Sequence, residues 1–527
     1  MEERDAALPP ALVQLRRPAR ARGRRPPRRR LGARRPRAGG PPVIVYILVL
    51  VAYLALLAGI GLYFRGRSKS AADFAIGGRS VGPWVTALSF VAAYYSSVVI
   101  IGGGAFGWRF GLSTLWIGAG NVLVGSTLAF IVMGRRVRRM SENLEVHTLP
   151  GFFSRRYDSP AARIFSAAIT GLFLIIYNVS VLKGMANAFE VLMDMPYMGG
   201  VLLSGIVILF YTAVGGYLAV VWTSFVQAII MIIALVLLTV FALHRVGGMT
   251  ELVDRLSLLG AGYVESPGQW GWAGLVSFGL IVSLGAWGLP QLLIRFYSIK
   301  SERALRVATV VVTLGAAMAV LPYLCGAIAR VLVPDIANPD QAIPSLTRLV
   351  LNDWGGALFL AGVVAAGMST FAGVLLIIAS SLVRDVWIEG LGRALDNAAE
   401  LKASRITSLA VGLVSVLIAL KPPGLVLVLT AFAWAVIAST NLWPLLFGIC
   451  WRRTSPRATL ASMVLGAATA LGWELLRKQL PAPWSGLHGF ITGSFVALVV
   501  IAVGTLLGRP APPAAIARAW GERVRGR

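Results

Sequence analysis

Cysteine, histidine and acidic side chains are all scarce in this chain of 527 residues. Two cysteines (Cys325, Cys450) and three histidines (His147, His244, His488) lie too far apart for a disulfide framework or a metal site of the usual ligand spacing. Charged residues make up 13% of the chain, well below the share in soluble globular proteins, which excludes an ordinary cytosolic enzyme. Asp and Glu are missing altogether from 195–250, 354–384 and 401–473, and from the interior of 80–133. Within a membrane, carboxylates are the usual proton carriers, whereas sodium is held by neutral carbonyl and hydroxyl oxygens; the absence favours sodium over protons. No nucleophile–base pair or phosphate loop is visible either. The run GAGNVLVG at 118–125 sits inside an apolar span and lacks the strand–turn–helix context of a nucleotide fingerprint. Neither an enzyme nor a cofactor is expected.

What is abundant is apolar surface: 57% of the residues are hydrophobic and the mean hydropathy is +0.76. A bilayer crossing takes about 20 apolar residues, and thirteen stretches qualify: 43–64, 80–107, 114–134, 161–190, 196–213, 218–243, 272–296, 304–333, 354–386, 404–420, 424–450, 457–477 and 487–508. The chain reads as an all-α polytopic membrane protein with a transmembrane domain over 43–508 and a tail at 509–527. Its connectors sort by charge. With the start of the first stretch outside, those on the inner side carry 27 Lys and Arg and those on the outer side nine, so the N-terminus is expected outside and the C-terminus in the cytoplasm of a cell that holds it in its plasma membrane.

The net charge of +27 is partly an end effect, since residues 1–40 hold 13 Arg against Glu2, Glu3 and Asp5. This Arg- and Pro-rich arm, 1–42, has no apolar periodicity and is expected to be a disordered, solvated segment with no nucleic-acid role; the apolar stretch behind it is too long for a secretory signal. Thirteen Arg outside would break the charge rule, a conflict that disappears if translation starts close to Val43.

Two stretches carry helix-breaking residues. The second contains Ser96-Ser97 and Gly102-Gly103-Gly104, and the seventh contains Gly285, Gly288 and Pro290. Freed backbone groups in a bilayer need other partners, and the two breaks lie five stretches apart. That spacing points to two five-helix repeats, about 80–243 and 272–450, related by inversion, with a binding site at the breaks near the midplane.

Five runs then become recognisable: IGGRSVGPWVTALSFVAAYYSSVVIIGG at 76–103, YTAVGGYLAVVWTSFVQ at 211–227, GLPQLLIRFYS at 288–298, AAGMSTFAGVLLIIASSLVRDVW at 365–387 and NLWPLLFGICWRR at 441–453. Together they resemble the sodium:solute symporter family over about 43–508. VPDIANPDQAIPSL at 333–346 and KPP at 421–423 are similar to its pantothenate and monocarboxylate permease branch. The resemblance implies a LeuT-type 5+5 inverted-repeat fold with about 13 transmembrane helices. It also implies a sodium site made by the carbonyls of Ala92, Tyr95 and Ala366 and the hydroxyls of Ser369 and Thr370. Ala366, Ser369 and Thr370 are three and four apart and share a helix face. Solute contacts are expected from Tyr94, Ser96, Ser97, Trp287 and Gln291, and the dipole of the helix beginning near Ser96 would favour a carboxylate.

Two departures stand out. Tyr94 replaces an acid found in proline-transporting members, and Trp222-Thr223-Ser224 replaces the WTD of many members. The expected activity is sodium-coupled import of a small organic solute, a monocarboxylate or pantothenate-like anion, by alternating access. One copy of the chain suffices for such a cycle. Alternatives are a weakly coupled or uncoupled carrier, motivated by Ser224, and a proline-like amino-acid symporter. A transporter-derived sensor would need a folded output domain, for which the 509–527 tail is too short.

Overall fold

The computed structural model describes residues 43–65 and 80–522; the arm 1–42, with the start expected near Val43, the connector 66–79 and the last five residues lie outside them. Among the described residues there is no strand, and one isolated bridge pairs Val81 with Ile299. Among the described residues eleven helices are long and apolar enough to cross a membrane, and there are two shorter apolar ones, Pro83–Tyr94 and Tyr197–Leu209. We label those used below: α1 (Val43–Arg65), α2 (Pro83–Tyr94), α3 (Gly103–Phe110), α4 (Pro160–Met193), α5 (Tyr197–Val246), α6 (Gly271–Ser283), α7 (Pro290–Ser298), α8 (Leu321–Leu332), α9 (Asp353–Ser380), α10 (Asn397–Ala419) and α11 (Val426–Cys450).

Local chemistry sets the boundaries. Proline at the first turn opens α2, α4 and α7, where a missing N–H costs nothing. Side-chain caps open others: Ser159 Oγ accepts from Ala162 N at 3.3 Å and Asn352 Oδ1 from Gly355 N at 2.8 Å. The second and third stretches part at Gly111, whose φ of +71° ends α3 and where a Cβ would lie 2.1 Å from the Tyr263 carbonyl oxygen.

The fifth and sixth stretches differ from expectation, being joined in one helical run of 50 residues, α5. Two apolar parts of that run, Tyr197–Leu209 and Tyr217–Val246, correspond to the two stretches, and the second is long enough to cross a membrane by itself. Tyr197 Oη donates to the Ala419 carbonyl at 3.0 Å and Tyr217 Oη to Ser298 Oγ at 2.9 Å.

The core sits at α9: its most apolar window is 94% buried, against 22% for α1 at the rim. Packing there is close enough for backbones to touch. Along the α3–α8 crossing, a Cβ on Gly107 would lie 2.1 Å from the Tyr323 carbonyl oxygen and one on Gly326 2.1 Å from that of Gly104; small residues are what permits such an approach in a membrane.

The connectors rich in Arg gather at one end. Arg138 Nε donates to the Ile299 carbonyl at 3.0 Å, Arg163 pairs with Glu389, and Arg384 Nη1 lies 3.1 Å from Glu400 Oε1. At the same end the tail is a docked element: Pro513–Trp520 is a helix. Buried Arg156 donates to the carbonyls of Gly448 and Trp451, both at 2.9 Å, closing the C-terminus of α11, and its guanidinium lies 4.6 Å from the Trp520 ring centre. Asn143 Nδ2 donates to the Ala519 carbonyl at 3.1 Å and Arg452 pairs with Glu522 at 2.7 Å. Trp520→Ala is therefore expected to lower stability by roughly 2 kcal/mol, from lost apolar contact and cation–π attraction. A fall in melting temperature of the purified protein is the readout.

Candidate functional site

Helix α2 runs as far as Tyr94, and Tyr95 leaves helical geometry with φ −94° and ψ 64°. Helical bonding resumes beyond Ser96, whose carbonyl accepts from Val99 N at 3.0 Å. The last carbonyls of any helix have no partner within it, and those of α2 stop in the middle of the bundle. Side chains from α9 meet them. Ser369 Oγ lies 3.0 Å from the Ala92 carbonyl oxygen, and Thr370 Oγ1 3.4 Å from the same oxygen and 3.2 Å from that of Ala93. Both hydroxyls also lie near the Ala366 carbonyl oxygen, at 2.9 and 3.2 Å. All of these residues are buried.

The arrangement is a cluster of uncharged oxygens with separations of 2.9 to 3.4 Å. A hard cation held at about 2.4 Å by several oxygens needs neighbouring ligands about 3.4 Å apart, so small adjustments fit the cluster to an ion of sodium's size. Of the five positions expected to bind sodium, four converge: Ala92, Ala366, Ser369 and Thr370. Tyr95 is fixed by its side chain to the neighbouring span, its hydroxyl 2.7 Å from Ser126 Oγ and 3.3 Å from the Asn121 carbonyl oxygen. No hydrogen bond joins it to Ser369 or Thr370 among the described residues. The carbonyl of Ala93, not expected from sequence, stands in the cluster.

The seventh stretch breaks where its glycines and proline stand. Gly285–Gly288 is a single tight turn after α6, Leu289 is extended at φ −91° and ψ 118°, and Pro290 opens α7. The two breaks are in contact, since Tyr94 Oη donates to the Val282 carbonyl at the end of α6 and also to Asn121 Oδ1 at 3.1 Å.

The five residues expected to touch solute separate into three groups. Tyr94 and Ser96 line a small cavity together with Asn121, Tyr177, Val282 and Trp434. Gln291 lines a different small cavity, with Ala93, Tyr217, Arg295, Ser369 and Thr370. Ser97 and Trp287 belong to neither and bond to backbone: Ser97 Oγ donates to the Val181 carbonyl and Trp287 Nε1 to that of Val124, both at 2.9 Å. Packing thus accounts for those two side chains.

Within the first cavity, Ser96 Oγ lies 3.3 Å from Tyr177 Oη, and the Trp434 ring centre is 5.4 Å from that of Tyr177 and 6.1 Å from that of Tyr94. The Trp434 Nε1–H is buried without an acceptor among the described residues. The lining is neutral, and its aromatic walls carry several hydrogen-bond donors. Asn121, Tyr177 and Trp434 were not anticipated; a single polar or aromatic residue within an apolar span is the signal that could have marked them. Ser224 is buried with its hydroxyl unpartnered among the described residues.

Comparison with known proteins agrees with this architecture. A family model described as the sodium:solute symporter family matches residues 74–466. The sodium/proline symporter of Escherichia coli (strain K12) is 31% identical over 508 residues, covering 91% of this chain and 96% of that protein. The sodium/pantothenate symporter of the same organism is 29% identical over 485 residues, covering 89% and 98%. Among solved structures, a Na+-coupled sialic acid symporter in its substrate-bound outward-open state superposes with a TM-score of 0.76 at 19% identity, covering 89% of this chain and 98% of that one. The fold is thus the LeuT type expected from the paired breaks, and the protein is a multi-pass secondary transporter rather than an enzyme. With the match extending over most of its length, the chain belongs to the sodium:solute symporter family.

Proposed function

We propose that this protein couples the inward movement of sodium to the import of a small organic solute, a monocarboxylate or pantothenate-like anion, by alternating access. The observation that carries the reading is the convergence of the Ser369 and Thr370 hydroxyls on the freed carbonyls of Ala92 and Ala93 at a helix break. Sodium enters there as a co-substrate, held by those oxygens and that of Ala366. Solute occupies the aromatic cavity on the other side of the break, with Trp434 Nε1–H and the Tyr177 hydroxyl as donors to a carboxylate. The Arg-rich end faces the cytoplasm, which puts the described start of α1 outside and the docked tail helix inside. One sodium ion moved inward is worth about 2.3 kcal/mol per 100 mV, and its concentration gradient adds to this.

The test is uptake into proteoliposomes of pantothenate, short monocarboxylates and proline, with an inward sodium gradient and with potassium in its place. Accumulation of a carboxylate only with sodium is the expected result. Equal uptake in both media would replace the reading by an uncoupled carrier, and sodium-driven uptake of proline alone would move the solute class to amino acids, as the 31% identity to a sodium/proline symporter would then have indicated. Trp434→Phe keeps an aromatic, though smaller, ring and removes the N–H; it is expected to raise the KM for the carboxylate about tenfold, the worth of one hydrogen bond to a charged group.

A further inference from the structure

The cavity beside the sodium cluster contains a positive charge and no negative one. Its charged residue is Arg295, on α7, and its remaining lining, including Ala93, Tyr217, Gln291, Ser369 and Thr370, has no acid. Arg295 is buried, at 2% exposure, and no carboxylate among the described residues pairs with it. Its Nη1 donates to Tyr217 Oη at 3.3 Å, its guanidinium lies 5.4 Å from the Tyr217 ring centre, and its Nε has no acceptor. One helical turn earlier, Gln291 is 3% exposed, and both its amide nitrogen and its amide oxygen lack partners. Residues four apart share a helix face, so two sets of unused donors open into one chamber.

Guanidinium does not lose its proton in proteins, and a buried charge without a counter-charge is strongly disfavoured. When sodium binds at Ser369 and Thr370, a second positive charge enters the same chamber. We infer that Arg295 and Gln291 form a binding site for a small monovalent anion, a carboxylate or a halide, which is occupied together with the sodium site. Arg295 supplies the charge and Gln291 the second donor. The anion lies between the two positive charges and attracts both, leaving one net charge in place of two, so anion and sodium each raise the affinity of the other. Two sources share this chemistry: the carboxylate of the solute on its way out of the aromatic cavity, and free chloride. The inference rests on the sodium site proposed above.

Equilibrium binding of radioactive sodium to the purified full-length protein tests it, in chloride, in acetate and in a bulky sulfonate, camphorsulfonate, that the chamber cannot admit. Sodium affinity in chloride or acetate is expected to exceed that in camphorsulfonate about fivefold or more, the lower edge of measured coupling between sites. Enhancement by acetate alone identifies the carboxylate as the natural occupant; enhancement by chloride alone, or by both, identifies a general small-anion site. In Arg295→Gln the three salts are expected to give one affinity, and Gln291→Ala is expected to shrink the enhancement without abolishing it. Equal affinity in all three salts for the wild type, or undiminished enhancement in both variants, overturns the anion site while leaving sodium coupling intact. Failure to bind sodium in any salt would instead reject the sodium reading itself.

Discussion

Ser369→Ala and Thr370→Ala are each expected to raise the sodium concentration for half-maximal uptake by about 10- to 100-fold, and the double variant to lose sodium-dependent uptake. A hydroxyl that contacts an ion contributes about 1.5–3 kcal/mol, which sets the range for one lost ligand. Removing both leaves the carbonyls of Ala92, Ala93 and Ala366, all of which belong to backbone that would then lack its bridging partners. Thr370→Ser is the control. It keeps the oxygen and trims a methyl group, so its sodium dependence is expected to stay near that of the wild type. Because the hydroxyls also bond to the Ala366 carbonyl one turn back, the bland alternative is that they only satisfy their own helix. Under that alternative the single variants would show unchanged sodium dependence, and the measurement separates the two cases.

An equally large effect is expected from a single methyl group at the α3–α8 crossing. Gly107→Ala would place its Cβ 2.1 Å from the Tyr323 carbonyl oxygen and Gly326→Ala 2.1 Å from that of Gly104, far inside contact distance. The obstacles are backbone atoms, which cannot rotate aside as a side chain does, so one helix must shift. Overpacking of this kind costs about 1–3 kcal/mol even where side chains can adjust, and here α3 continues the broken span that carries Ser96 and the carbonyls of Ala92 and Ala93. Both variants are expected to lose transport, with reduced yield of folded protein in detergent. Gly82→Ala, whose added methyl would meet nothing within 4 Å, should behave as the wild type.

Much of this architecture was legible because bilayer chemistry writes strongly into sequence. Long apolar stretches and the Gly–Pro and Ser–Ser interruptions mark spans and breaks through separate physical costs. Ala93 was not legible, because a carbonyl ligand leaves no trace in the identity of its own side chain. The separation of Gln291 from Tyr94 was hidden for another reason: both flank a break, and only the path of the chain decides which way each faces. The docked tail helix, PAAIARAW, is too short and too rich in alanine to announce itself by periodicity, and its anchor at Arg156 lies more than 350 residues away in sequence.

One consequence concerns the partition between the two chambers. Ala93 borders one and Tyr94, its immediate neighbour in the chain, borders the other. An airlock works only if its inner door feels what stands at the outer one. If the two chambers hold the two cargoes as proposed, a shift of this shared segment that opens the passage for one is expected to be felt by the other.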